Sequence, residues 1–230
     1  MRVAVADVGT NSSHLLIAES IHPTSGQSGG SYRVLDTLKD PTKLGEYLNK
    51  AGELTKEGAD RLASALTRFQ ALATAAGVSE VRVYATSALR EAPNGEQIAR
   101  QMQERTGIYP VIISGEKEGE LTYLGVTHSV DLGEDNLLLD LGGGSLEIVR
   151  GNPHQAKDIL SLPLGSIRMT KAFLNDEFPN RKELALLTNH VHQALAPALE
   201  RFDVGPQTRV FLSSGTAEAA AAALNPNPYD

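Results

Sequence analysis

Asp140, Gly142, Gly143, Gly144, Ser145 and Glu147 follow the apolar run Leu137–Leu139, and Leu146, Ile148 and Val149 resume it beyond. The spacing predicts strand, tight loop, strand. Consecutive glycines let the backbone reach positive φ and turn several N–H groups toward one point, a concavity suited to phosphate oxygens. Asp140, fixed at the strand end beside it, is placed to hold a hard cation directly or through its waters. A glycine-rich β-turn with an acidic neighbour is the plain alternative. A dinucleotide fingerprint is not, because its third glycine would fall on Glu147 and the segment that follows reads as strand.

The chain repeats this grammar near its start. Val3–Ala6 leads into Asp7, Gly9 follows two residues later, Ser12 five later, and Leu15–Ile17 resumes the apolar run, so that His14 occupies the place of Glu147. Two such hairpins predict a duplicated domain with a phosphate loop in each half.

Further polar groups stand at predicted element ends. Thr86, Ser87 and Arg90 lie just past the strand Val81–Thr86, where open α/β sheets place ligands, and Arg90 offers a planar fork matched to phosphate. Glu116, Glu118 and Glu120 open a helix; capping of the macrodipole explains at least two of them, and spacing alone does not choose among the three as a general base. Ser166, Arg168 and Lys171 begin another helix and suit either an anion contact or a solvated, capped amphipathic helix. Ser214-Gly215-Thr216-Ala217 joins the last strand to an alanine-rich helix as a third loop of phosphate type.

The elements that must position these groups follow from periodicity. Ala59, Leu62, Ala63, Leu66, Phe69, Leu72 and Ala73 predict a packing helix over 55–76 with Thr55 as N-cap. Asn94 with Gln97, and Asn180 with Glu183, read as capping boxes. Pro23–Gly30 reads as a flexible hairpin tip and Tyr109–Ile113 as a short strand. The 230 residues predict an α/β protein of two domains, 1–125 and 126–230, the second short of the strand and helix that would complete it. Zero cysteines exclude disulfides and thiolate metal sites. The start carries no signal-peptide pattern and no apolar run approaches the roughly 20 residues of a membrane span, so a cytoplasmic protein with no membrane partner is expected. A net charge of −7 argues against DNA as a partner.

Taken together, Asp7-Val-Gly-Thr-Asn-Ser12, Ala85-Thr-Ser-Ala-Leu-Arg90-Glu-Ala92, Ile113-Ser-Gly-Glu-Lys-Glu118 and Asp140–Glu147, in this order, resemble the exopolyphosphatase and guanosine pentaphosphate phosphohydrolase (Ppx/GppA) family of the actin, sugar kinase and Hsp70 ATPase superfamily. Pro163–Arg168 and Ser214–Ala217 are similar to later family segments. The resemblance implies two ribonuclease H-like (actin-like ATPase) domains around a central cleft. It also implies a hydrolase that removes terminal phosphate from polyphosphate, or from guanosine pentaphosphate (pppGpp), with magnesium or another divalent cation. By position, Glu118 corresponds to the general base, and Asp140 and Glu147 to the acidic pair around metal and water, with Asp7 a further metal ligand. Asn11, Ser12, Arg90, Gly143, Gly144 and Ser145 correspond to phosphate ligands. A non-catalytic phosphate or nucleotide sensor on the same fold is the competing reading, and a homodimer is compatible with either. Where the family reads Glu-Glu-Ala-Arg, this chain has Lys117-Glu118-Gly119-Glu120. Lys117 beside the base is expected to lower the pKa of Glu118 by Coulomb attraction.

Overall fold

Small apolar residues at every second position make the first strand, β1 (Arg2–Val8), whose Ala4, Ala6 and Val8 are buried while Asp7 faces outward. The computed structural model describes residues 1–21, 31–175, 178–202 and 204–225, so the Pro23–Gly30 tip and the tail 226–230 lie outside the described residues. Two compact units are present, Met1–Ile113 and Ser114–Asp230.

In the first unit, β1 pairs antiparallel with β2 (Ser13–Ile21), and β2 antiparallel with β3 (Ser31–Asp40). Helix α1 (Lys56–Ala75) starts as its cap requires, the Thr55 hydroxyl accepting from Gly58 N at 3.3 Å, and buries Leu62, Leu66, Phe69 and Ala73 against the sheet. β4 (Val81–Ala85) lies parallel to β1 and runs into the single turn α2 (Ser87–Arg90). Asn94 occupies the N-cap position of α3 (Gly95–Thr106) without a capping bond. Its amide instead bridges Leu54, donating to the carbonyl and accepting from the N–H, each at 2.9 Å, so a tertiary contact replaces the expected capping box. The strand expected over Tyr109–Ile113 contracts to β5 (Val111–Ile112), completing the order β3-β2-β1-β4-β5.

The second unit opens with α4 (Gly115–Thr127), which packs on the second sheet, chiefly on β7 (Leu146–Gly151) and β8 (Ala156–Leu162). The division therefore falls between Ile113 and Ser114, ahead of the 125/126 boundary expected from sequence, because the polar joint marks only the end of α4 and not its allegiance. β6 (Asn136–Leu141) pairs antiparallel with β7 and parallel with β9 (Arg209–Ser213), giving the order β8-β7-β6-β9. This repeats β3-β2-β1-β4 strand for strand, as a duplicated ribonuclease H-like unit requires.

The near-continuous apolar sequence of β6 reflects burial on both faces. Leu138 joins Val149 and Tyr123 under α4, whereas Leu137 joins Ile148, Ala198 and Phe202 under α6 (Arg181–Arg201). The Asn180–Glu183 capping box that opens α6 is present. Two shorter elements, α5 (Ser166–Phe173) and α7 (Gly215–Leu224), follow β8 and β9. Among the described residues, no helix is long and apolar enough to cross a membrane.

Candidate active site

Asp140 and Glu147 are register partners across β6 and β7. Alternation assigns them the face of Leu138 and Val149, the one covered by α4. The row continues to both sheet edges, since Ser213 of β9 pairs with Asp140 and Ser161 of β8 pairs with Glu147. Ser161 Oγ donates to Glu147 Oε1 at 2.8 Å, and Thr122 Oγ1 of α4 donates to Asp140 Oδ2 at 3.3 Å.

Burial sets the electrostatics. Glu147 is 1% exposed, and removal from water pushes its carboxyl up to about 7, the nearby Glu118 charge adding to the rise and the Ser161 and Ser145 hydroxyls opposing it. Desolvation also raises Asp140, against hydrogen bonds from Thr122 and Ser213.

Helix α4 brings the third carboxylate. The Ser114 hydroxyl caps it by accepting from Lys117 N at 3.2 Å, and Glu118 and Thr122 follow one turn apart on one face. Gly119 permits the close approach: a Cβ there would lie 2.8 Å from Ile159 Cγ2 and 3.1 Å from Val149 Cγ2. Of the three glutamates that spacing left open, Glu116 and Glu120 are exposed, while Glu118 is half-buried and its charge reaches Glu147. Lys117, expected to act on Glu118, forms an exposed ion pair with Glu120 at 2.9 Å.

Among the described residues, no three His, Asp or Glu side chains form a preformed metal cluster. The donor set nevertheless suits a hard divalent cation. Asp140 and Glu147 are paired carboxylates whose ionised forms are penalised by burial, and magnesium is commonly held by one or two carboxylates with ligand phosphates and waters completing its shell.

The loop between these acids closes with Gly142 N donating to Ser145 O at 3.0 Å. Ser145 is buried and its hydroxyl bonds Glu147. Arg168, which sequence left as either an anion contact or a solvated cation, directs its Nε to the Gly144 carbonyl at 2.8 Å.

In the first unit the equivalent row reads Tyr84, Asp7, His14, Lys39 across β4, β1, β2 and β3. Asp7 is exposed, and His14 Nε2 lies 2.8 Å from Ser12 Oγ. Partial burial and, secondarily, Lys39 hold the His14 imidazole below its ordinary pKa. The Asn11 carbonyl accepts from Lys43 N at 2.8 Å, and Lys43 takes a left-handed φ of 51° to make that bond. Arg90 lends Nη1 to the Ile113 carbonyl at 3.2 Å, so part of its fork is fixed to the backbone. Thr10, between Gly9 and Asn11, carries a buried hydroxyl with no partner among the described residues.

Asp140, Glu147, Glu118, Gly143, Gly144 and Ser145 thus gather in the second unit, and Asp7, Asn11, Ser12 and Arg90 belong to the first. Sequence reasoning did not single out Thr122 or Ser161 and treated Ser213 only as the end of a strand. Thr122 carried a legible signal, the four-residue step from Glu118; Ser161 and Ser213 acquire their places only through strand register.

The sequence profile of the Ppx/GppA phosphatase family matches residues 24–229. Exopolyphosphatase 1 of Mycobacterium tuberculosis is 34% identical over 223 residues, which are 96% of this chain and 63% of that protein; the chain thus spans less than two thirds of such relatives. Among solved structures, an exopolyphosphatase from Cytophaga hutchinsonii is 25% identical with a TM-score of 0.86, covering 98% of this chain and 70% of its own. The Aquifex aeolicus Ppx/GppA family member is 27% identical with a TM-score of 0.76, covering 100% of this chain and 72% of its own. The acid pair about the glycine loop, the repeated sheet and these matches agree: the chain belongs to the Ppx/GppA phosphatase family.

Proposed function

We propose that the protein acts as an exopolyphosphatase, releasing terminal orthophosphate from inorganic polyphosphate by attack of water. The observation that carries this reading is the acidic group of buried Glu147 with half-buried Asp140 and Glu118 beside the glycine loop 142–144. In phosphoryl transfer, positioning and charge neutralisation matter more than covalent chemistry by the protein.

In this reading the Gly143 and Gly144 N–H groups and Ser145 receive the terminal phosphate, with Asn11, Ser12 and Arg90 as further phosphate ligands. Asp140 and Glu147 would hold a magnesium ion, and the bound ion would neutralise part of the phosphate charge. Glu118 orients the attacking water and takes its proton, a role that typically contributes about 10²–10⁴-fold. The water oxygen bonds to the terminal phosphorus, the bridging P–O bond breaks, and the shortened polyphosphate leaves with the bridging oxygen. Glu147, with its pKa at about 7, is only half ionised near neutrality and reaches full negative charge above it, unless a cation lowers that value.

The test is orthophosphate release from long-chain polyphosphate with magnesium, for the chain and its Glu118→Gln variant. Release by the former, lost in the variant while polyphosphate still binds, supports the reading. Binding without release in the unmodified chain would overturn it, and guanosine pentaphosphate run alongside would identify the other substrate class of the family.

A further inference from the structure

Four consecutive carbonyls of the candidate loop are held from outside it. Leu141 O accepts from Ser214 Oγ at 2.6 Å, and Gly142 O from both Ser166 N at 2.9 Å and Ser166 Oγ at 3.3 Å. Gly143 O accepts from Arg168 N at 3.1 Å, and Gly144 O from Arg168 Nε at 2.8 Å. A peptide plane whose carbonyl is fixed has the N–H of the following residue fixed on the opposite side, so Ser166 on the Gly142 carbonyl and the Arg168 N–H on the Gly143 carbonyl set the Gly143 and Gly144 amides. Among the described residues, no acceptor takes the N–H of Gly143 or of Gly144. Gly165 lies so close that a Cβ built on it would meet the Gly143 and Gly144 backbone. Ser214 holds its place at a φ of 98°, outside the usual range for a residue with a side chain, and its hydroxyl also caps α7 by accepting from Thr216 N at 3.2 Å. Such strain persists where surrounding structure over-determines it, and it clusters at ligand sites.

We propose that Arg168 and Ser214 are positioning residues: their side chains fix the 144–145 and 141–142 peptide planes, which flank the two planes carrying the Gly143 and Gly144 amides, and so hold those amides toward a phosphate group. The inference builds on the proposed phosphohydrolase site but concerns anion capture, which is separable from turnover. Arg168 acts here through the loop. Its planar guanidinium delivers Nε to one carbonyl in a direction that a lysine cannot reproduce.

The experiment uses the full chain and inorganic tripolyphosphate as probe, with calorimetric affinity and the amide ¹⁵N–¹H shifts of Gly143 and Gly144 as readouts. In the unmodified chain both amides should shift on titration. Arg168→Lys, which keeps the charge, and Ser214→Ala should each lower the affinity of the folded protein by about tenfold, or about 1.4 kcal/mol, and shrink the amide response, Ser214→Ala also lowering the melting temperature through its lost cap on α7. A purely structural role would change the melting temperature alone and leave the affinity of the folded fraction intact. Unmodified affinity and amide response in both folded variants would overturn the proposal, as would absence of any Gly143 or Gly144 shift in the unmodified chain. Amide shifts without orthophosphate release would leave the positioning role standing and remove the exopolyphosphatase reading alone.

Discussion

Glu147 stands directly opposite Asp140 in the antiparallel register of β6 and β7, with a serine beyond each of them on the outer strands. The row is acidic in the middle and hydroxylic at its ends. Hydroxyls donate to carboxylates without neutralising them, so two negative charges are expensive there unless a proton or a cation is shared.

The first prediction concerns that expense. Glu147 is raised from 4.5 to about 7, so between those values the folded chain binds more proton than the unfolded one. Its stabilising contribution is complete below about 4.5 and is lost as pH rises to about 7, on the order of 3 kcal/mol at 1.36 kcal/mol per unit. Urea denaturation at pH 5 and pH 8 should show this loss relative to Glu147→Gln, which has no proton to give up. Magnesium at pH 8 should restore the unmodified chain and not the variant. An equal magnesium effect on both would remove Glu147 from the cation site.

Glu118→Gln should separate two roles of one side chain. Removing its charge takes away the second-largest cause of the Glu147 shift, so Glu147 should titrate lower than about 7 yet stay above 4.5, because burial is the larger cause. Carboxyl ¹³C titration measures this directly. In the same variant orthophosphate release should fall by about 10²–10⁴-fold, the range for a lost general base. A Glu147 titration unmoved by the substitution would mean that α4 does not bring Glu118 near the acid pair in solution.

Asn136 tests the frame beneath the row. It is fully buried; its Nδ2 donates to Gly133 O at 2.6 Å and its Oδ1 accepts from Gly133 N at 3.1 Å, closing the turn into β6. Asn136→Ala leaves both backbone groups without those bonds and should cost about 2–4 kcal/mol. Because Asn136 lies at the far end of β6 from Asp140, tripolyphosphate affinity of the folded variant should be unaltered. A loss below about 1 kcal/mol in urea would show that water replaces both bonds.

What the sequence made legible was whatever depended on local spacing. Strand, Asp, glycine, Ser and strand recur at the same offsets in both halves, and that recurrence sufficed for a duplicated unit built on two such hairpins, while the register that sets Asp140 opposite Glu147 came with the structure. What required distant chain was not legible. The capping box read at Asn94 lost to a bridge with Leu54, forty residues away. Helix α4 carries no sign of which sheet it covers, since Gly119 and Tyr123 reveal their role only against Val149, Ile159 and Gly151. Arg168 offered an exposed-looking cation at a helix start, and nothing local showed that a loop more than twenty residues earlier would take its Nε.

The last prediction uses the difference between the two repeats. Where the second unit places Glu147 across from its aspartate, the first places His14 across from Asp7, with Lys39 as the next residue in the row. The His14 pKa is lowered from 6.5, so the imidazole is largely uncharged at pH 7.5, and its bond to Ser12 leaves this loop one negative charge fewer than its counterpart. That difference suits a loop that receives anions over one that holds a cation. His14→Glu would copy the other repeat and set a second carboxylate opposite Asp7. Two charges about 4 Å apart interact by about 1 kcal/mol in water, so a phosphate brought to that distance should bind about fivefold more weakly. The KM for polyphosphate should rise accordingly while kcat changes little, and the rise should shrink at high salt. His14→Gln, which keeps a neutral hydrogen-bonding side chain beside Ser12, should leave KM near that of the unmodified chain. If His14→Glu instead lowers kcat at constant KM, the first repeat takes part in the chemical step and its role as an anion-receiving loop is wrong.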